Sequence, residues 1–397
     1  MSSEIQSILN AFDRSQHRGK SAFLATVVGT QGSTYRRPGA RLFIAADGET
    51  VGLVSGGCLE RDLVEHTQLM PDNRPKIVTY DHTATEDILW GFGLGCTGTV
   101  RVLVERLRPP HDPLTFLARC WRDRTPGVLV SIIQTEGNAT QLGACLTLTA
   151  QAIDVLGQSD PDLIAAIVPD TRSVLRARQS VVKRYDLANC RIEVFIEFIE
   201  PPISLVIFGA GQDAIPLAQF AKALGWHVTV VDCRANPLSH ERFAMCDRVI
   251  LTRRERLDRI VIPAGAVAAI LTHNYYDDLE ILRGLLPAEL GYIGLLGSRQ
   301  RTQRLLQELQ QDLTSITEQF DKLHAPVGLD IGAETPTAIA LSIVAEIQAV
   351  LSDRPGNSLK YRNTSIHDTH QDRLTPARGW SLAADGYTQT VIIHSRN

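Results

Sequence analysis

Three stretches in the second half of this chain, two of them opened by glycine, hold residue types that could do chemistry. Gly209-Ala210-Gly211-Gln212-Asp213-Ala214 follows an apolar run of strand length, Ser204 to Phe208, and opens a helical run from Ala214 to Leu224. The first glycine permits a tight turn, the second lets a phosphate approach the backbone, and the small Ala214 allows close helix–strand packing. A helix start also offers free N–H groups and partial positive charge to an anion. Asp232 closes the next apolar run, 21 residues after Gly211, where a dinucleotide-binding fold places an acid for ribose hydroxyls. The alternative for Asp232 is a solvated turn residue. Asp213 puts negative charge beside the phosphate position, which weighs against simple pyrophosphate binding. Thr272-His273-Asn274 directly follows another apolar run. His273 there could act as a general acid–base, a hydrogen-bond donor to a ligand or a metal ligand, or make only a structural hydrogen bond. Gly297-Ser298-Arg299 repeats the pattern of glycine, hydroxyl N-cap and guanidinium, with Arg301 close behind, and such a nest suits a phosphate. An ordinary N-cap with solvated arginines is the plain alternative.

Two cysteines of the first half stand in unusual company. Cys58, in Val54-Ser55-Gly56-Gly57-Cys58-Leu59-Glu60, follows a Gly-Gly turn where a helical pattern begins, a setting that lowers a thiol pKa. Cys96, in Gly93-Leu94-Gly95-Cys96-Thr97-Gly98, lies in a glycine-dense loop that lets a ligand or backbone come close. Neither belongs to a CxxC or a Cys/His set at zinc spacing, so a nucleophile or soft-metal ligand competes with a small buried hydrophobe as the reading of each.

The elements that must position these residues divide the chain. Residues 1–200 read as a strand-rich α+β domain, with helical patterns at 5–18, 58–69 and 113–123 and strands elsewhere, the stretch up to Ile199 included. Pro201-Pro202 reads as a linker. Residues 203–352 alternate short apolar runs with helical ones, the pattern of a Rossmann-like doubly wound parallel sheet. Thr335 as N-cap and Pro336 at the first helical position open its last helix, expected over 336–351. Residues 353–397 are polar with scattered apolar positions and read as a loosely ordered tail. The predicted fold class is therefore α/β, with the strand-rich α+β domain preceding the Rossmann-like one.

Composition excludes several classes. With 40 Lys and Arg against 44 Asp and Glu, the chain lacks the excess positive charge of a nucleic-acid-coating protein. No apolar run approaches the ~18–20 residues of a membrane span, and the start lacks the pattern of a secretion signal. Seven scattered cysteines argue for a reducing, cytoplasmic setting rather than a disulfide framework.

Several segments together resemble one family, the XdhC/CoxI proteins, accessory factors for maturation of xanthine dehydrogenase and related molybdenum hydroxylases. They are Leu24 to Val28, GSTYRRPGAR (32–41), VSGGCLE (54–60), GLGCTG (93–98), the run 208–232, Thr272 to Asn274, Gly297 to Arg301 and HAPVGLDIGAETPTAIALSIVAE (324–346). The resemblance spans roughly 20–352. The family's cysteine loop often reads Gly-Cys-Gly-Gly, whereas Thr97 here follows Cys96. The resemblance implies a chaperone that holds molybdenum cofactor, in mononucleotide or cytosine dinucleotide form, while a cysteine desulfurase supplies the sulfido ligand. The chaperone then passes the cofactor to an apo molybdenum hydroxylase. Gly56, Gly57, Gly95, Gly209, Gly211, Asp213, Asp232, His273, Ser298 and Arg299 are the expected cofactor-binding residues. Cys58 and Cys96 are the expected reactive thiols, with Cys96 the candidate ligand to molybdenum. An NAD(P)-dependent oxidoreductase is the alternative suggested by 209–232, and a scaffold bridging desulfurase and hydroxylase is a third reading. A homodimer is expected from the prevalence of two-fold oligomers.

Overall fold

The computed structural model describes residues 2–70, 74–81, 98–137, 141–156, 160–187, 190–312, 317–363 and 391–392. The chain forms two compact units, Met1–Pro202 and Ile203–Asn397.

The first unit contains α1 (Ser2–His17), β1 (Ala22–Gly32), β2 (Arg41–Ala45), β3 (Thr50–Gly52), α2 (Glu60–Gln68), β4 (Lys76–Asp81), β5 (Gly98–Arg106) and α3 (Pro113–Asp123). It continues with β6 (Gly127–Gly137), β7 (Gly143–Thr149), β8 (Ile153–Val155), α4 (Pro161–Ala177), β9 (Val181–Leu187) and β10 (Cys190–Ile199). Its strands form two antiparallel five-stranded sheets, ordered β3-β2-β1-β5-β4 and β8-β7-β6-β10-β9. One apolar cluster joins Ile8 and Phe12 of α1, Leu24 and Phe43 of the first sheet, Leu114 and Leu117 of α3, and Leu129 and Ile199 of the second sheet. Polar pairs also connect the sheets: Arg41 meets Glu197 at 2.5 Å with both side chains buried, and Arg101 meets Glu193 at 2.6 Å.

Helix α4 corrects the strand-rich reading of the stretch up to Ile199. Asp160 caps it, Pro161 occupies its first turn, and Leu163, Ile167, Thr171 and Val174 form its buried face. Those signals were in the sequence, but Pro169 interrupts the run. An interior proline removes a helix hydrogen bond and normally argues against a helix; packing of this face against β6, β9 and β10 outweighs that cost here. Helix α2 starts at Glu60 rather than Cys58.

The second unit runs β11 (Ser204–Phe208), α5 (Ala214–Ala223), β12 (His227–Asp232), α6 (Ser239–Arg242), β13 (Arg248–Leu251), β14 (Val261–Ile262), β15 (Val267–Ile270), α7 (Tyr275–Leu285), β16 (Tyr292–Leu295), α8 (Arg299–Asp312), β17 (Leu323–His324), α9 (Pro336–Leu351) and β18 (Val391–Ile392). Six strands form one sheet in the order β13-β12-β11-β15-β16-β17, all pairs parallel. Alternate residues of β11 face opposite cores, as the two-residue strand period requires. Leu205 and Ile207 join Leu217 of α5 and Ile343 and Ile347 of α9, whereas Val206 and Phe208 join Leu282 of α7 and Leu305 of α8. Within the region expected to be a loose tail, Val391 and Ile392 pair antiparallel with β14; residues 364–390 lie outside the described residues.

Candidate functional site

In this strand order the chain turns one way from β11 to β12 and the other way from β11 to β15. Open α/β sheets bind ligands at such a switch point, beyond the carboxyl ends of the strands. The loops that sequence reasoning singled out meet there. Gly209 has φ +117°, and a Cβ on it would press on the Leu271 carbonyl, so the glycine turn lies against the end of β15. Asp213 and His273, 60 residues apart, form a hydrogen bond across the switch point with Nε2 and Oδ2 2.6 Å apart. Asp213 Oδ1 also accepts the Ala214 N–H at 3.1 Å, so this carboxylate caps α5 itself. Its acceptor role places the proton of a neutral His273 on Nε2 and leaves Nδ1, without a hydrogen bond in the described structure, as a proton acceptor. His273 is a non-glycine residue at φ +56°, a conformation that costs energy and clusters at functional sites.

Asp232 behaves differently. It is 4% exposed. Its Oδ1 accepts the Arg234 N–H at 2.8 Å, and its Oδ2 accepts the Asn236 N–H at 3.1 Å and the Ser239 hydroxyl at 2.6 Å. These bonds organise the turn into α6, from which the Arg242 guanidinium donates to the Ala210 carbonyl of the glycine turn. Arg242 was not foreseen, because nothing in its local sequence marks it.

At the next strand end, the Thr272 hydroxyl bonds Asp278, whose Oδ2 accepts from Arg301 at 2.5 Å. Burial pushes the Asp278 carboxyl up from its ordinary range, opposed by the Thr272 bond and the Arg301 charge. Asn274 caps α7 through the N–H groups of Tyr276 and Asp277, and Arg254 meets Asp277 at 2.6 Å. Ser298 Oγ accepts the Arg301 N–H at 3.3 Å, as an N-cap does, and Arg299 is exposed. The Gly328–Thr335 loop that precedes α9 is anchored by Glu346, which accepts the Gly328 N–H at 2.9 Å and the Tyr292 hydroxyl. His324 stacks on Tyr292 with ring centroids 4.4 Å apart. Burial acts upward on the Glu346 carboxyl, but bonds from His324, Tyr292 and Gly328 outweigh it and hold the group below its usual range. Tyr292 and Glu346 were also not foreseen as a pair, since 54 residues separate them.

In the first unit, Cys58 is exposed. The N–H groups of Gly57, Cys58 and Leu59 all donate to Ser55 Oγ, at 3.1–3.2 Å, and Ser55 in turn donates to Glu60 at 2.6 Å. Glu60 also accepts the N–H groups of Val54 and Ser55. This closed knot explains why α2 starts late and presents Gly56, Gly57 and Cys58 as an exposed turn. Gly95 and Cys96 lie outside the described residues. Glu4 ties the GSTYRRPGAR segment to α1 through Arg36, and its other oxygen accepts the Leu53 N–H.

A parallel sheet of this order, with a glycine turn and a histidine–carboxylate hydrogen bond at its switch point, defines the second unit as a Rossmann-type domain. Residues 205–347 match the family model described as the XdhC Rossmann domain, and residues 15–81 match the model of the XdhC and CoxI family. The chain belongs to the XdhC and CoxI family. It is 33% identical over 331 residues to a probable xanthine dehydrogenase subunit of Bacillus subtilis (strain 168), covering 83% of this chain and 92% of that one. It is 23% identical over 334 residues to the molybdenum cofactor insertion chaperone PaoD of Escherichia coli (strain K12), covering 84% of each. Among solved structures, that of a xanthine dehydrogenase from Bacillus halodurans is similar with a TM-score of 0.69 and 30% identity, over 88% of this chain and 96% of that one. Among the described residues, no helix is long and apolar enough to cross a membrane.

Proposed function

We propose that this protein is a maturation factor for a xanthine dehydrogenase-type molybdenum hydroxylase. It holds molybdenum cofactor as cargo while a cysteine desulfurase supplies the sulfido ligand, and delivers the cargo to the apo-enzyme. The observation that carries this reading is family membership, reinforced by the alignment with an insertion chaperone over most of both chains. The local chemistry is compatible. The exposed Cys58 turn can offer a thiolate to a soft metal, and Cys96 is proposed for the same role. Gly209, Gly211, Ser298 and Arg299 suit the phosphate of a pterin cargo. His273, held by Asp213, can accept a proton from a bound group. An oxidoreductase using NAD draws less support, because Asp232 is committed to its own loop and Asp213 occupies the cap of α5.

The test is purification from cells with active cofactor synthesis. Molybdenum and pterin are expected to co-purify, measured by metal mass spectrometry and pterin fluorescence after oxidation. Cys58→Ala and Cys96→Ala are expected to lower the molybdenum content without lowering the yield of folded protein. Cargo-free wild-type protein from such cells would refute the reading, and unchanged metal content in both variants would refute the thiol assignment.

A further inference from the structure

The second unit turns the acid at the end of β12 into its own loop. A dinucleotide-binding domain presents there either an acid, which reads ribose hydroxyls, or an arginine, which reads a phosphate on that ribose. Here the acid has been withdrawn. Asp232 is buried, and its carboxylate is held by the Arg234 N–H, the Asn236 N–H and the Ser239 hydroxyl. Two arginines remain on the loops fastened to it. Arg234 is exposed and sits two residues beyond Asp232, with its backbone N–H on the carboxylate. Arg253 is exposed and follows Thr252, whose N–H donates to the Asp232 carbonyl at 3.0 Å. Neither guanidinium makes a hydrogen bond or ion pair in the described structure, whereas Arg242, Arg254 and Arg301 are all engaged. Glu255 is the acid nearest in sequence to Arg253, in the first turn of the short helical segment that follows it.

We propose that the carboxyl ends of β12 and β13 form a phosphomonoester site served by Arg234 and Arg253, in place of a ribose-diol site. A phosphate monoester carries close to two negative charges at neutral pH and accepts several hydrogen bonds, which two guanidinium groups match better than any neutral donor. The withdrawn acid is part of the arrangement. A carboxylate aimed into the site would repel the dianion, whereas here its oxygens are turned to three donors of its own loop, which also fixes the loop that carries Arg234. The phosphate can belong to a nucleotide or to the monophosphate form of a pterin cargo. The site itself does not depend on the cargo reading.

The probes are adenosine 2′,5′-bisphosphate and AMP, which differ by the single phosphomonoester, titrated by calorimetry into the full chain. The bisphosphate is expected to bind about tenfold to a hundredfold more tightly, the range for charge-assisted hydrogen bonds. The Arg234→Ala/Arg253→Ala double variant is expected to erase that ratio while keeping the wild-type circular dichroism spectrum and thermal midpoint. Equal affinities, no detectable binding of either probe, or a ratio that survives the double substitution would each overturn the site. Repeating the titration on cargo-loaded protein separates the sources. Competition by cargo assigns the phosphate to the pterin, and undiminished binding assigns it to a separate nucleotide. Molybdenum content is measured independently, so cargo without phosphate preference and phosphate preference without cargo are separate failures.

Discussion

Replacing Asp232 by asparagine distinguishes an acid that serves a ligand from one that serves its own loop. The carboxylate holds one donor on Oδ1 and two on Oδ2, all inside 3.1 Å, on a residue that is 4% exposed. An amide keeps only one accepting oxygen. Whichever way that amide is turned, one or two donors lose their partner and the survivors lose the charge. At about 1.5–3 kcal/mol for a hydrogen bond to a charged group, the expected loss is roughly 2–5 kcal/mol. Ser239→Ala removes one of the three donors and is expected to cost about 1–3 kcal/mol. Because both changes weaken or delete the same 2.6 Å bond, their effects should be subadditive, with a coupling of about 1–2 kcal/mol in a double-mutant cycle. Urea unfolding followed by the emission of Trp226, buried in the second unit, measures all four corners, with the other tryptophans replaced by phenylalanine in each. An Asp232→Asn protein within about 0.5 kcal/mol of wild type, but selectively weakened toward ribonucleotides over their 2′-deoxy forms, would refute the reasoning and restore the ribose-reading role.

Two further outcomes follow from shifted titrations. Burial pushes the Glu105 carboxyl up to about 7; the Asp112 charge acts in the same direction, while the Ala144 N–H and the Arg41 charge oppose the shift. Between its unfolded value near 4.5 and about 7 the folded state binds more protons, so stability should fall as pH rises through that window, by up to about 3 kcal/mol. Glu105→Gln should flatten this slope in urea unfolding measured at several pH values, and an unchanged slope would show that Glu105 does not cause it. Among the described cysteines, Cys58 should be the first modified by iodoacetamide at pH 8, since it is exposed. Burial pushes the thiols of Cys120, Cys145 and Cys233 up to about 12 and that of Cys246 up to about 11. Peptide mass mapping over time gives the order, and earlier labelling of Cys145 would contradict the packing of β7.

Much of the second unit was legible because its signals are local. The apolar strand at 204–208, the helix that opens at Ala214 and the Thr335 cap of α9 depend on residues within one or two turns of each other. Helix α4 shows where local reading fails, since Pro169 spoils a pattern that the neighbouring sheet restores. The late start of α2 is a second case. The glycines and the helical spacing after Cys58 were visible, but the competition of Ser55 for three N–H groups was not.

The candidate site divides along the same line. By itself the sequence determined that glycine turns, capping hydroxyls and a histidine stand at the ends of apolar strands, because strand period, positive φ and N-capping are set by neighbouring residues. Only the tertiary structure decided that His273 meets Asp213, that Arg41 meets Glu197 across 156 positions, and that Asp232 turns inward. A charged group takes whichever donors or opposite charges the strand order and register bring within about 3 Å, and no local rule specifies which residues those are.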